Sequence, residues 1–324
     1  LTPRIGFAAV ALILLAAPST CRAWGARMHE IINRKAAEMC PGAARAAWGP
    51  FAASLGAHAS DADHRKSFEA GESLRHFLDI DAWGEHPFDD VPRAFEDLAR
   101  KHGTEEAKRF GIVPWAIDEC YRMLVLSLRR GDWSSAGAWA ADLGHYVADS
   151  HQPLHCTVNY DGQGTGNRGI HLRFEVTMMD RFFREEWIPE PSATELPEVT
   201  DGPIPICFEW IAGAYPDVTR ILAADDAAKA VDPDHGDRYY EALWEGTREL
   251  AVLHMTRSVH DLAALYAAAW EEAGAPPPPA ETPAFRALSV SELEPPPPGP
   301  SVAPRGAIAA ALAAILAALA FGSR

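Results

Sequence analysis

The chain reads as an all-α domain, and three observations predict it. Apolar residues recur at helical spacing through most of the interior, strand-like alternation bounded by turn pairs is hard to find, and the breaks fall at proline and glycine. In chain order, the stretch 27–40 places Ile31, Ile32, Ala36 and Met39 at helical spacing. Pro114 opens a second helix, since its fixed φ suits a first turn, and Ile117, Cys120, Tyr121, Leu124 and Leu128 form its stripe. A third runs over 135–150 with Trp139, Leu143, Tyr146 and Val147, and the stretches 170–183 and 237–270 supply two more. Long loops are expected at 51–75, 156–169 and 190–205.

The two ends differ from this interior. Residues 1–23 run from L-T-P-R through an apolar stretch of about a dozen to S-T-C-R-A, the pattern of a secretory leader. Cleavage after Ala23 would make Trp24 the new amino terminus and would place the protein outside the cytoplasm: periplasmic, extracellular or at the cell surface. Four cysteines remain, Cys40, Cys120, Cys156 and Cys207, which permit two disulfides in any of three connectivities or plain burial. The folded domain is expected over 24–272. Residues 273–306 carry two four-proline runs and read as an extended linker. Residues 307–324 form an apolar tail whose fifteen-residue uninterrupted run is short of the ~20 that usually span a bilayer. It reads as an anchor or sorting tail that would associate the protein with a membrane.

With 48% hydrophobic and 23% charged residues the chain is too apolar for disorder. Its 29 Lys and Arg stand against 45 Asp and Glu. Arg4 and Arg22 lie in the leader and the stretch after 272 holds three acids and three bases, so the domain carries 24 basic against 42 acidic residues, a net of −18. That excludes a duplex-DNA clamp, which needs a basic face, and leaves open a domain whose carboxylates hold cations.

The thirteen histidines are unevenly spread. The run L-G-H-Y-V-A-D-S-H-Q-P-L-H puts His145 and Asp149 four apart on one helix face, with His155 just past Pro153. Sixteen residues on, I-H-L-R-F-E holds a second pair at that spacing, His171 and Glu175. Upstream lie His29, His76 in H-F-L-D-I-D, and Asp61 and Asp63 in A-S-D-A-D-H-R. One such pair is usually a surface pair. Two pairs with further His and Asp, and no cysteine in the pattern, are a donor set that zinc prefers.

The run H-Y-V-A-D-S-H-Q-P-L-H, followed by H-L-R-F-E and preceded by W-G-A-R-M-H, resembles the zinc-dependent phospholipase C and single-strand nuclease superfamily, from Trp24 to about Trp270. The resemblance implies a multi-helix phospholipase C/nuclease-type domain around a trinuclear zinc site. Trp24 would bind one zinc through its α-amine and carbonyl oxygen, joined by His29. Asp61, His76 and His145 would hold the second, with Asp149 bridging the first two, and His155, His171 and Glu175 the third. Asp61 and Asp63 both precede His76 at acceptable steps; Asp61 is taken as the ligand and as the group that orients the water, and it is the alternative bridge to Asp149. Asp61 and Asp149 are thus the expected catalytic carboxylates. His151 is read as lying outside the ligand set, either beside the ligands or facing solvent.

The implied activity is hydrolysis of a phosphodiester by an exported zinc enzyme. Glu175 and the D-I-D after Phe77 resemble the phospholipase C branch, with phospholipid head groups as substrate. The five-residue step from Trp24 to His29 resembles the nucleases of the S-one/P-one class, which act on single-stranded nucleic acid. A third reading, a non-catalytic metal-stabilised surface protein, suits the proline spacer, but a structural zinc needs only four closed ligands. No protein partner is evident.

Overall fold

A computed structural model describes residues 24–191, 196–197, 199–200 and 202–289 of the chain. The expected leader, the later part of the linker and the apolar tail lie outside the described residues. Among those described the chain is helical, with no strand, as the periodicity predicts.

The fold is organised around α8 (Trp133–Ser150), in which every residue but Ser134 is buried. A helix that is buried on all sides must carry small residues where neighbours cross it, and α8 is rich in alanine. Its start is set by Asp132, whose side chain accepts from the Ser135 backbone N–H at 3.0 Å and from the Ser135 hydroxyl at 2.6 Å. α7 (Val113–Arg129) precedes it across a short turn and packs along it, with Pro114 in its first turn. α1 (Ala26–Glu38), α3 (Ala52–His58) and the long α13 (Asp237–Glu272) close over the other sides of α8.

Gly144 is where α1 comes closest. A Cβ there would fall 2.2 Å from Asn33 Oδ1. Asn33 is itself pinned, since its Nδ2 donates to the His29 carbonyl at 3.2 Å and its Oδ1 accepts from Tyr266 at 3.1 Å. The crossing therefore fixes His29 of α1 against the next residue of α8, His145.

The stretch 51–75, expected as a loop, is mostly helical: α3, α4 (Asp61–Arg65) and a 3-10 turn over Glu72–His76. Elements of five to seven residues show too little of an apolar stripe to be read, and they persist because the body packs on them. α11 (Pro203–Ala214) and α12 (Pro216–Val231) were likewise hidden by prolines that sit in their first turns. The loop expected over 156–169 begins at Thr157, since Cys156 closes a 3-10 turn. Of that expected over 190–205, residues 192–195, 198 and 201 lie outside the described residues and 203–205 belong to α11.

The compact body extends past residue 272 to Leu288. The start of the expected linker is therefore packed chain. Phe285 lies over Gly137 of α8, where a Cβ would meet its ring at 2.1 Å, and beside Phe51 and His58. Ser134 and Thr282 add hydrogen bonds to Ala284 O and Pro50 O. The four cysteines among the described residues are buried free thiols, so burial and not pairing is their state here. Among the described residues no helix is long and apolar enough to cross a membrane.

Candidate metal centre

Three groups of histidine and carboxylate meet at α8: His29, His145 and Asp149; Asp63, His76 and His145; and His155, His171 and Glu175. The potential ligand atoms of each lie within 4.8 Å of one another. Helix periodicity explains how α8 feeds two of them, since His145 and Asp149 are one turn apart on the same face. Pro153 then ends the helical run, and the 3-10 turn Pro153–Cys156 swings His155 back toward the same place.

Asp149 is fully buried, and its two oxygens face different neighbours. Oδ1 lies 3.5 Å from His29 Nε2 and 3.9 Å from His155 Nδ1, and it has no hydrogen-bond partner. Oδ2 lies 2.9 Å from His76 Nδ1 and 3.4 Å from His145 Nε2. A buried carboxylate oxygen without a donor costs free energy unless a cation completes it.

The imidazoles are oriented by their outer nitrogens. His145 Nδ1 donates to the Ala59 carbonyl at 2.7 Å, His155 Nδ1 to the His76 carbonyl at 2.7 Å, and His76 Nε2 to Glu72 Oε1 at 3.1 Å. In a neutral ring, the form that binds a metal ion, each such bond leaves the other nitrogen as a lone pair pointing inward. His145 Nε2 and His76 Nδ1 then face one another at 3.0 Å, as do His155 Nε2 and His171 Nε2. Facing lone pairs repel unless a proton or a metal ion lies between them.

In the third group His171 Nε2 lies 2.9 Å and His155 Nε2 3.6 Å from Glu175 Oε2. Glu175 sits in a π turn, Arg173–Met178, that follows α9 (Ile170–Leu172), and its Oε2 also accepts from Gln152 Nε2 at 2.7 Å. Gln152 in turn caps the Pro153–Cys156 turn by accepting from Leu154 N–H at 2.6 Å. One amide thus ties the two halves of the group.

The electrostatics favour charged carboxylates. Burial pushes the Asp149 carboxyl up, but the His145 imidazole, hydrogen bonds from His145 and His76, and His155 outweigh it and hold Asp149 well below the carboxylate range. Burial is likewise outweighed at Asp63, where His145, Lys66, His76 and His29 bring the carboxyl down to about 2. The same holds for Glu175 through His171 and His155. Burial disfavours the His145 imidazolium, yet Asp149 and Asp63 raise its pKa to about 9. Without a metal, protons balance the buried anions.

Of the nine positions expected from the sequence, His29, His76, His145, Asp149, His155, His171 and Glu175 fall in the three groups. Asp61 does not. It lies at the start of α4 with its side chain 44% exposed, accepting from His58 Nδ1 at 2.7 Å. Asp63, two residues further and so about 200° around the helix, is the carboxylate beside His76 and His145, at 3.8 and 3.6 Å. Trp24 is fully buried, and its indole N–H donates to the Ala148 carbonyl at 3.0 Å, next to Asp149. His151, as expected, is no member of the groups; it is buried and does not face solvent, and it pairs with Asp261 at 2.8 Å. Sequence reading missed Glu72 and Gln152. The four-residue step from Glu72 to His76 was the available sign of the first.

No protein-family model matches the chain, and no curated protein matches it. Among solved structures it is similar to an alpha toxin from Clostridium absonum, with a TM-score of 0.48 and 14% identity over 78% of this chain and 65% of that one. The chain thus spans slightly less than two thirds of that protein's length. Neither the activity nor the ligands of the toxin pass to this chain through a likeness of that size.

Proposed function

We propose that the chain is an exported zinc-dependent phosphodiester hydrolase of phospholipase C type. The observation that carries the reading is the convergence of three His/carboxylate groups on one buried centre, with imidazole lone pairs facing inward. Zinc suits this nitrogen and oxygen donor set. His29 with Asp149 would hold one ion, joined by the α-amine and carbonyl oxygen of Trp24 where the leader is removed. Asp63, His76 and His145 would hold a second, with Asp149 shared between the two, and His155, His171 and Glu175 a third.

Zinc ions in such a cluster supply a nucleophile at neutral pH by lowering the pKa of water, and they offset the charge that grows on the phosphoryl oxygens. The chain's own contribution is to fix the spacing. Asp149 places one oxygen toward each of two groups, and Asp63, buried beside His76 and His145, would orient the attacking water. His145 and His155, locked by backbone carbonyls, keep the donors in register without reorganisation.

A phospholipid substrate is favoured over a nucleic acid by the surface chemistry. The net charge of −16 opposes a polyanion. Exposed apolar side chains stand in the segments that bear the ligands: Phe68, Val158, Tyr160 and Leu172 are 70, 42, 42 and 59% exposed. Tyr160 packs edge-on against His171 with ring centroids 5.6 Å apart. The test is a parallel assay of zinc-loaded protein on phosphatidylcholine vesicles and on single-stranded DNA, with zinc content measured on the same sample. Head-group release with about three zinc ions per chain is the expected result. Cleavage of DNA alone would assign the nuclease reading, and zinc uptake with neither activity would assign a structural role.

A further inference from the structure

Behind the centre lies a buried charged network that the hydrolysis itself does not use. Glu72 is fully buried on the 3-10 turn, one turn before His76. Its Oε2 accepts from Arg65 Nε at 3.2 Å, and its Oε1 accepts from His76 Nε2 at 3.1 Å and from the Tyr146 hydroxyl. Arg65 also forks onto Asp142. Arg75 donates from Nε to the Tyr146 oxygen at 3.2 Å and from Nη1 to Glu119 at 3.0 Å. On α8, Asp142 and Tyr146 anchor this network while His145 and Asp149, each three residues later, face the centre. The helix that presents the ligands is thereby bolted to the turn that presents His76.

Resting on the metal-binding reading above, we infer that Glu72 is the positioning residue that fixes which nitrogen of His76 serves as a metal ligand. Both ring nitrogens of His76 face a carboxylate, Nε2 that of Glu72 at 3.1 Å and Nδ1 that of Asp149 at 2.9 Å. A cation at Nδ1 would exclude the proton there, and Oε1, which accepts and cannot donate, holds it at Nε2. The Nδ1 lone pair would then serve the ion held among Asp149, His145 and Asp63. An ion pair with Arg65 needs only the other oxygen, Oε2. The two-sided arrangement thus does more than balance a buried charge: Arg65 and Tyr146 hold the carboxylate, and the carboxylate holds the imidazole.

The tautomer can be read on the full wild-type chain without altering it. Long-range proton–nitrogen spectra of the histidine rings, with the His76 signals assigned by their loss in His76→Asn, should show the Nε2–H form in zinc-loaded protein. An Nδ1–H form in protein that elemental analysis shows to carry zinc would overturn the inference, whereas protein that takes up no zinc would overturn the metal-binding reading instead. Glu72→Gln tests the consequence, since its amide can turn and donate to Nε2. Chelator competition should show one ion per chain held about 10 to 100-fold more weakly, and the visible spectrum of the cobalt-loaded variant should change. Stability loss in the metal-free state with unchanged metal affinity and an unchanged cobalt spectrum would mean that Glu72 only balances charge.

Discussion

His29 of α1 and His145 of α8 lie face to face, with ring centroids 3.9 Å apart and planes 9° from parallel. Two imidazolium rings would repel at that distance, so the stack is compatible with at most one proton-borne charge and suits a pair of neutral ligands. The geometry exists because α1 meets α8 at Gly144, the residue before His145.

That crossing yields the first prediction. A methyl group at Gly144 would overlap the Asn33 side-chain amide. Gly144→Ala should cost about 1–3 kcal/mol, the usual range for an overpacked core. It should also weaken the ion shared by His29 and Asp149 before it affects the group at His155. Urea unfolding and zinc titration of the same variant check both effects. Full zinc content with full stability would mean that α1 shifts freely, and that the stack does not set the site.

Asp149 is expected to be the most damaging carboxylate to neutralise, because each of its oxygens faces a different group. Asp149→Asn should lower hydrolysis by at least about a hundredfold, ~2.7 kcal/mol of barrier, and reduce bound zinc by more than one ion. Activity within about tenfold of wild type would remove Asp149 from the shared position.

Asp61 and Asp63 should separate cleanly. Asp63→Asn removes a buried anion between His76 and His145 and should release zinc, whereas Asp61→Asn alters an exposed pair with His58 and should leave metal content unchanged. Elemental analysis of the two variants decides between them, and the reverse result would return Asp61 to the site.

The same two residues show what the sequence could and could not reveal. His145, Asp149, His171 and Glu175 were legible because each pair repeats at the helical step within one element. The all-α fold was legible for the same reason, from the stripes of α7 and α8. The Asp61/Asp63 choice depends on the rotational phase of a five-residue helix, which no apolar stripe reports. Glu72 was hidden because its partners Arg65 and Tyr146 come from other elements, and only the four-residue step to His76 on its own turn marks it. The packed stretch from Ala273 to Leu288 was hidden by its prolines, which look alike in a free spacer and in a strap held by Phe285 and two hydrogen bonds.

The last prediction concerns pH and the loop between His155 and His171. Asp225 of α12 is fully buried. It accepts from Asn167 at 2.8 Å, Arg173 at 2.9 Å and Tyr239, and pairs with Lys229 at 3.0 Å. Asn167 belongs to the loop and Arg173 to the π turn of Glu175, so one carboxylate ties α12 to both flanks of the third group. Burial pushes the Asp225 carboxyl up, but hydrogen bonds from Tyr239, Asn167, Lys229 and Arg173 outweigh it and hold it below its ordinary range. A carboxyl that titrates lower in the folded state leaves the unfolded chain binding more protons as the pH falls. Its stabilisation is therefore complete above the unfolded value of about 3.9 and is lost as the pH drops through the folded value. Asp225→Asn should cost about 3 kcal/mol at pH 7, as expected when one partner leaves a buried charged network. The gap from wild type should narrow only below about pH 4. Urea unfolding of both proteins with chelator present, at a series of pH values from 7 to 3, measures it while keeping metal release out of the comparison. A gap that stays constant across that range would show that Asp225 stabilises the loop by packing and not by its charge.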